Sequence, residues 1–184
     1  VLEVRTLGLE GVLEIVPKRH GDARGYFCET WNAERFAQAG IDLTFVQDNH
    51  SYSAAAGVLR GLHYQLPPRA QDKLLRVVRG SVFDVVVDVR RSSPTFGQWS
   101  ALEISAEKGN QILVPKGYAH GFVTLVPDTE ILYKVTDTYS PGHDRSIRFD
   151  DPVIGIRWPA LPGGFQLSDK DRNAPLLAEA EVFA

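Results

Sequence analysis

Two histidines sit in contexts suited to chemistry on a bound small molecule. His63 lies in Val58-Leu-Arg-Gly-Leu-His-Tyr-Gln65, near an arginine on a predicted strand, and His120 lies in Val114-Pro-Lys-Gly-Tyr-Ala-His-Gly-Phe122. Neither is surrounded by the further His, Cys or Glu residues that a metal site needs, so proton transfer is the chemistry expected. Gly61 precedes the first, and Gly117 and Gly121 flank the second; glycine lets a ligand or a second backbone approach closely. The other three histidines carry blander expectations. His20 and His143 adjoin turn residues, where a solvated ring is expected, and His50 follows Gln47-Asp-Asn49, where it would hydrogen-bond a loop.

Proton removal next to a carbonyl needs a base, an acid for the opposite face and positive charge for the enolate. His63 suits the base, because an imidazole titrates near about pH 6.5. A carboxylate on its other ring nitrogen would orient it; Asp84, Asp169 and Asp171 are all candidates, and residue type leaves the three open. Tyr133 is the candidate acid, beside the plainer reading of a packed strand aromatic. Lys73 could face an enolate oxygen, although strand-start lysines are commonly just solvated. Arg24, Arg60 and Lys170 could grip phosphates.

The elements that must position these groups are strands. In Ser81-Val-Phe-Asp-Val-Val-Val-Asp-Val-Arg90, residues Phe83, Val85, Val87 and Val89 share one face, and Asp84 and Asp88 lie on the other with Val82 and Val86. Thr129–Val135 groups Ile131, Tyr133 and Val135 likewise. Further strands are expected at Val12–Val16, Phe45–Ser53, Val58–Gln65, Leu74–Val78, Trp99–Ile104, Gln111–Val114 and Gly121–Val126, separated by turn chemistry such as Arg79-Gly80 and Ser140-Pro-Gly142. One helix, Ala33–Ala39, is capped by Asn32 and stopped by Gly40; a second, Asp169–Leu177, is limited by Pro175. Many short strands at this spacing predict an all-β sandwich or barrel, with an antiparallel jelly roll the specific expectation. Regular alternation over Leu59–Gln65 would place Arg60 and His63 on opposite faces. Both serve one site only through a bulge at Gly61, a strong curve of the chain, or a partner subunit.

Composition sets the outer bounds. A chain of 184 residues with 43% hydrophobic and 23% charged content fits a single soluble domain over 1–184. The net charge of −3 argues against a nucleic-acid partner. Cys28 is the sole cysteine, so no intrachain disulfide forms and a reducing cytoplasm fits. Glu3 and Glu10 interrupt the start, and no apolar run has the length of a signal peptide or membrane span.

Gly109-x5-Pro115-x-Gly117-x2-His120 matches most of the second cupin motif, with Thr124 where asparagine usually ends it. In the first motif Gln65 replaces the second histidine, and Arg69 and Ala70 stand near the place of the glutamate. The barrel signal survives and the metal signal fails, so no metal is expected. The missing glycine-rich dinucleotide loop leaves no expectation of a redox cofactor either.

Gly21-Asp-Ala-Arg-Gly-Tyr-Phe-Cys-Glu29, Phe45-Val-Gln-Asp-Asn-His-Ser51, Val58–Gln65 and Gln71-Asp-Lys-Leu74 carry a broader likeness. It continues through Ser93-Pro-Thr-Phe-Gly-Gln-Trp99, Pro115–Phe122, Leu132-Tyr-Lys134 and Leu167-Ser-Asp-Lys-Asp171. In this order, over essentially the whole chain, the segments resemble the dTDP-4-dehydrorhamnose 3,5-epimerase family. The resemblance implies a dimeric double-stranded β-helix without metal or redox cofactor. It implies His63 as base, Tyr133 as proton donor, Asp171 as the carboxylate orienting the histidine, and Lys73 beside the C4 carbonyl. It further implies that Arg24, Glu29, Gln47, Asp48, Asn49, Arg60, His120, Asp144 and Lys170 hold the nucleotide sugar while Tyr139 stacks on thymine.

The implied substrate is dTDP-4-dehydro-6-deoxy-D-glucose, whose C4 ketone makes the C3 and C5 protons removable. Three positions depart from the usual pattern: His20 where some relatives carry an aromatic, Asp144 where glutamate can occur, and Asp72 in place of glycine. The nearest alternative is a C3-only epimerase or a 3,4-ketoisomerase on a related sugar. A metal-dependent cupin oxygenase lacks its ligands here, and a non-catalytic sugar-binding cupin would not require His63, Tyr133 and Asp171 together.

Overall fold

Alternating strands build two antiparallel sheets that face one another. The structure, a computed structural model, describes residues 2–184. Its strands are β1 (Glu3–Thr6), β2 (Leu13–Val16), β3 (Arg19–Asp22), β4 (Gly25–Cys28), β5 (Gln47–Ser53), β6 (Leu59–Gln65) and β7 (Lys73–Arg79). The series continues with β8 (Ser81–Asp88), β9 (Trp99–Ser105), β10 (Gln111–Val114), β11 (Tyr118–Thr124), β12 (Thr129–Val135) and β13 (Asp144–Ser146). One sheet has the order β1-β2-β10-β7-β12-β5 and the other β13-β6-β11-β8-β9, with β3 and β4 forming a separate hairpin. This is the expected all-β, cupin-type jelly roll.

The interior between the sheets is filled from both sides. Leu75, Val77, Ile112 and Ile131 meet Val82, Val86, Ile104 and Phe122 there, all buried. The outer face of the five-stranded sheet is covered too: Ile147, Ile154 and Leu177 from the C-terminal segment pack on Leu62, Val85 and Val87. Helix α1 (Ala33–Gln38) covers part of the other sheet through Phe36, which packs with Ile15, Leu74 and Leu113. Its cap is as expected, with the Asn32 side chain accepting from Arg35 N at 3.1 Å.

Burial on both faces accounts for one displaced boundary. A strand was expected at Gly121–Val126, but β11 runs Tyr118–Thr124 and is buried at every position, so it shows no polar alternation to mark its ends. The second helix, α2, covers only Asp169–Arg172 of the expected Asp169–Leu177 and is capped by Ser168.

The strand carrying His63 is irregular where the site requires it. Across the β6–β11 pair His120 faces His63 while Phe122 faces Arg60, so β6 uses one residue more than its partner. This is a β-bulge, and of the three routes by which Arg60 and His63 could share a site it is the one the fold uses. Gly61 sits in it at φ +121°, and a Cβ there would meet the Gly121 Cα at 2.6 Å and the His120 carbonyl at 2.7 Å. No side chain fits.

Candidate active site

The bulge turns Arg60 and His63 into one cavity between the sheets, of about 500 Å³. The five-stranded sheet contributes Arg60, His63, His120 and Phe122; the six-stranded sheet faces them with Ser51, Lys73, Leu75 and Tyr133. The segment 166–171, ending in α2, closes a third side. The candidate base and the candidate acid therefore stand on opposed walls.

His63 is held by the helix. Ser168 Oγ accepts from the Asp171 backbone N–H at 3.2 Å, which caps α2 and fixes the start of its first turn. Asp171 is buried; its Oδ1 accepts from His63 Nε2 at 2.5 Å and its Oδ2 from the Gly61 N–H at 3.1 Å. Burial opposes ionisation of this carboxyl, but the His63 hydrogen bond, the His63 charge, Gly61 and Ser168 together hold it below the usual range. The other His63 nitrogen makes no contact with Asp171, and in the neutral imidazole it carries the lone pair. Of the three carboxylates left open by residue type, Asp171 is the one that touches His63.

Asp84 has a different partner. It is fully buried and accepts from His120 Nε2 at 2.8 and 3.0 Å. Burial pushes its carboxyl up, against the pull of His120 and Lys73. Lys73 enters the same neighbourhood at the start of β7, with Nζ donating to the His63 carbonyl at 3.5 Å. Burial lowers its ammonium to about 8, while Asp144 and Asp84 pull the other way. Burial also raises the Tyr133 hydroxyl, with Arg60 opposing and Asp144 adding. Tyr133 is therefore a protonated donor at neutral pH.

A second hollow of about 380 Å³ opens beside the first and shares His63, Lys73, Tyr133 and Lys170 with it; Gln47, Asn49, Tyr139 and Asp144 line its outer part. Lys170 Nζ donates to Asp144 Oδ2 across its mouth. Asp48 does not join them. Alternation along β5 turns it to the outer face, where Lys134 Nζ donates to it at 2.9 Å. Arg24 and Glu29 also stand outside, on and next to the β3–β4 hairpin, with the Arg24 side chain 90% exposed. A larger hollow of about 770 Å³ lies between that hairpin and α1, lined by His20, Phe27, Glu29 and Arg35, but it holds none of the acid–base groups.

Of the remaining histidines, His20 keeps the expected solvent-exposed ring, and His143 and His50 are more structured than expected. His20 is a strand residue, exposed. His143 is half-buried, its Nδ1 paired with Ser140 Oγ at 2.8 Å. His50 lies on the outer face of β5, and its Nε2 donates to Glu130 at 2.8 Å. Ser51 was missed by sequence reasoning: it lines the cavity, and its buried hydroxyl has no hydrogen-bond partner among the described residues. Its spacing from Gln47 and Asn49 on one strand face would have marked it. Among the described residues no group of three His, Cys, Asp or Glu side chains is arranged to hold a metal.

A jelly roll with a carboxylate-held histidine, a half-buried lysine and a tyrosine around one cavity has the make-up of a cupin-type site suited to proton transfer. The model of the dTDP-4-dehydrorhamnose 3,5-epimerase family matches residues 6–179. The chain is 50% identical to the dTDP-4-dehydrorhamnose 3,5-epimerase of Sinorhizobium fredii over 97% of this chain and 91% of that protein. It is 52% identical to the enzyme of that name from Salmonella typhimurium, over 92% of each. The crystal structure of the Legionella pneumophila dTDP-6-deoxy-D-glucose-3,5-epimerase in complex with dTDP-4-keto-L-rhamnose superposes with a TM-score of 0.93 at 44% identity, covering 97% of this chain and 94% of that one. The chain belongs to the dTDP-4-dehydrorhamnose 3,5-epimerase family and is an isomerase.

Lys73 generates a pH prediction. Its ammonium is charged below about 8 and neutral above, so turnover should fall as pH rises through that value. Lys73→Gln should lower kcat on the order of 10²-fold, as does loss of one oxyanion donor, and should lack this alkaline limb in a kcat–pH profile. An unchanged limb in the variant contradicts the role.

Proposed function

We propose that this protein inverts C3 and C5 of dTDP-4-dehydro-6-deoxy-D-glucose, giving dTDP-4-dehydro-L-rhamnose, by removing and returning a proton at each carbon through an enolate. One observation carries the reading: His63, held through Nε2 by Asp171, faces Lys73 and Tyr133 from the opposite sheet across one cavity. His63 takes the proton from the carbon next to the C4 ketone, and the bonding pair moves to the ketone oxygen. The Lys73 ammonium offsets that charge. Tyr133 then delivers its hydroxyl proton to the opposite face of the carbon, which inverts it. Solvent reprotonates the phenolate and deprotonates His63, and the neighbouring carbon follows.

The outer hollow suits the nucleotide. Tyr139, 57% exposed, offers a flat face for a base, and Lys170, Gln47 and Asn49 line the same hollow, while Arg60 reaches the inner cavity from the Ser53 end of β5. Asp144 engages Lys170 and would orient it toward the sugar nucleotide. His120, buried and held by Asp84, contacts the sugar on the enolate side. All these groups fall within one domain over 1–184.

Arg24, Glu29 and Asp48 take part through a homodimer. The β3–β4 hairpin exposes Tyr26 at 61% and Phe27 at 71% beside Arg24, a surface that suits burial against a second copy. In this reading the hairpin carries Arg24 and Glu29 to the partner's nucleotide, and Asp48 meets the interface side. Cys28 as sole cysteine supports a reducing, cytoplasmic setting. Among the described residues no helix is long and apolar enough to cross a membrane.

Two measurements test this. Proton NMR of dTDP-4-dehydro-6-deoxy-D-glucose incubated with the protein in D₂O should show deuterium entering both C3 and C5. Deuterium at C3 alone moves the assignment to a 3-epimerase, and none at either carbon ends the enolate mechanism. Mixing inactive Arg24→Ala with inactive His63→Ala protein should restore up to about a quarter of the activity in statistically formed heterodimers. A monomer by sedimentation, or no complementation once heterodimers form, contradicts the shared site.

A further inference from the structure

We propose that Gln65 is a positioning residue that fixes the nucleotide end of the site, by holding in place the segment that carries Tyr139. The proposal rests on the reading of Tyr139 as a nucleotide contact. Gln65 occupies the position where a metal-binding cupin would have its second histidine. It lines the outer hollow and is 3% exposed, yet nothing in the acid–base chemistry uses it.

Its amide is fully engaged with two loops. Nε2 donates to the Arg69 carbonyl at 2.6 Å and to the Thr138 carbonyl at 3.3 Å, while Oε1 accepts from the Ser140 N–H at 2.8 Å. Gln65 therefore grips the backbone on both sides of Tyr139. The loop it draws on from its own side, 66–72, reinforces the same segment. Arg69 donates to both Asp137 carboxylate oxygens at 2.8 and 2.9 Å, and Gln71 donates to the Asp137 carbonyl at 2.7 Å. Gln47 closes the set, its Oε1 accepting from the Tyr139 N–H at 3.0 Å.

The residue type follows from these partners. An amide supplies two donors and an acceptor at one position. Leucine would take this partner away from two carbonyls and an N–H. Glutamate can still accept from Ser140, but as a carboxylate it sets negative charge against the Arg69 and Thr138 carbonyls. With the amide present the Tyr139 ring is placed before ligand arrives; without it, binding must order the segment first, and affinity falls. His63, Lys73 and Tyr133 make no hydrogen bond to the Gln65 side chain among the described residues, so the effect belongs to binding and not to turnover.

The test uses Gln65→Leu and the isosteric Gln65→Glu, which decides the matter if the leucine variant does not fold. The Kd for dTDP by calorimetry and the KM for the sugar nucleotide should rise about tenfold to a hundredfold, with kcat within about twofold of the unsubstituted protein. Amide hydrogen exchange should speed up in 137–143 but not in β8 or β11. A fall in kcat at unchanged KM, or unaltered exchange in 137–143 in a folded variant, overturns the proposal. Tyr139→Ala separates the two layers. If it leaves dTDP binding unchanged, the nucleotide reading of Tyr139 fails, and with it the proposed effect of Gln65 on affinity. If it weakens binding and Gln65→Glu does not, the positioning role alone fails. Combined, Tyr139→Ala and Gln65→Glu should bind dTDP no more weakly than Tyr139→Ala by itself; additive losses overturn the link.

Discussion

The Asp171 carboxylate is the constraint on which the rest of the site depends. One of its oxygens takes the Gly61 N–H and the other takes His63 Nε2. A bulge removes a backbone donor from its ladder, and a buried N–H without a partner costs roughly 1–3 kcal/mol. Asp171 satisfies that donor and orients the imidazole at the same time. Helix α2, only four residues long, exists where it does because Ser168 caps it and Asp171 anchors it. The local irregularity of β6, the cap and the catalytic geometry are thus one linked arrangement.

The two walls divide the chemical labour. A single sheet presents its side chains to one side of a bound ring, whereas facing sheets reach both. His63 from β6 and Tyr133 from β12 can therefore work on opposite faces of a carbon, which is the geometry that inversion requires. Beside them half-buried Lys73 forms a polar group with Asp84 and His120, both buried, with no access to bulk water at Asp84. Its members offset one another: burial drives Lys73 down and Asp84 up, and each opposes the shift of the other. A lysine poised near about 8 keeps its charge at neutral pH while staying close to the proton-transfer chemistry.

Much of this was legible in the chain, for identifiable reasons. Strand β12, with its one apolar face, follows period-2 alternation, and β7, β8 and β12 all lie close to their expected bounds. Strands β1, β3, β4 and β13 escaped because they are short and lack a buried face, so no hydrophobic period marks them. Facing in β8 was right, and it placed Asp84 in the barrel interior beside Val82 and Val86; that its partner would be His120 depended on a non-local strand pairing. Arg60 and His63 seemed to exclude one another until the register of β6 against β11 showed the extra residue. Gln65 read only as a lost metal ligand, because its three partners come from loops whose course no local pattern specifies.

The central claim is that base and acid act from opposed walls, and Tyr133→Phe in D₂O tests it most directly. Without the tyrosine, His63 can still remove a proton and return solvent deuterium to the same face. NMR should therefore show deuterium entering C3 and C5 with the original configuration kept and little inverted product. Loss of exchange together with inversion, or inversion at the unsubstituted rate, would contradict the opposed-wall mechanism.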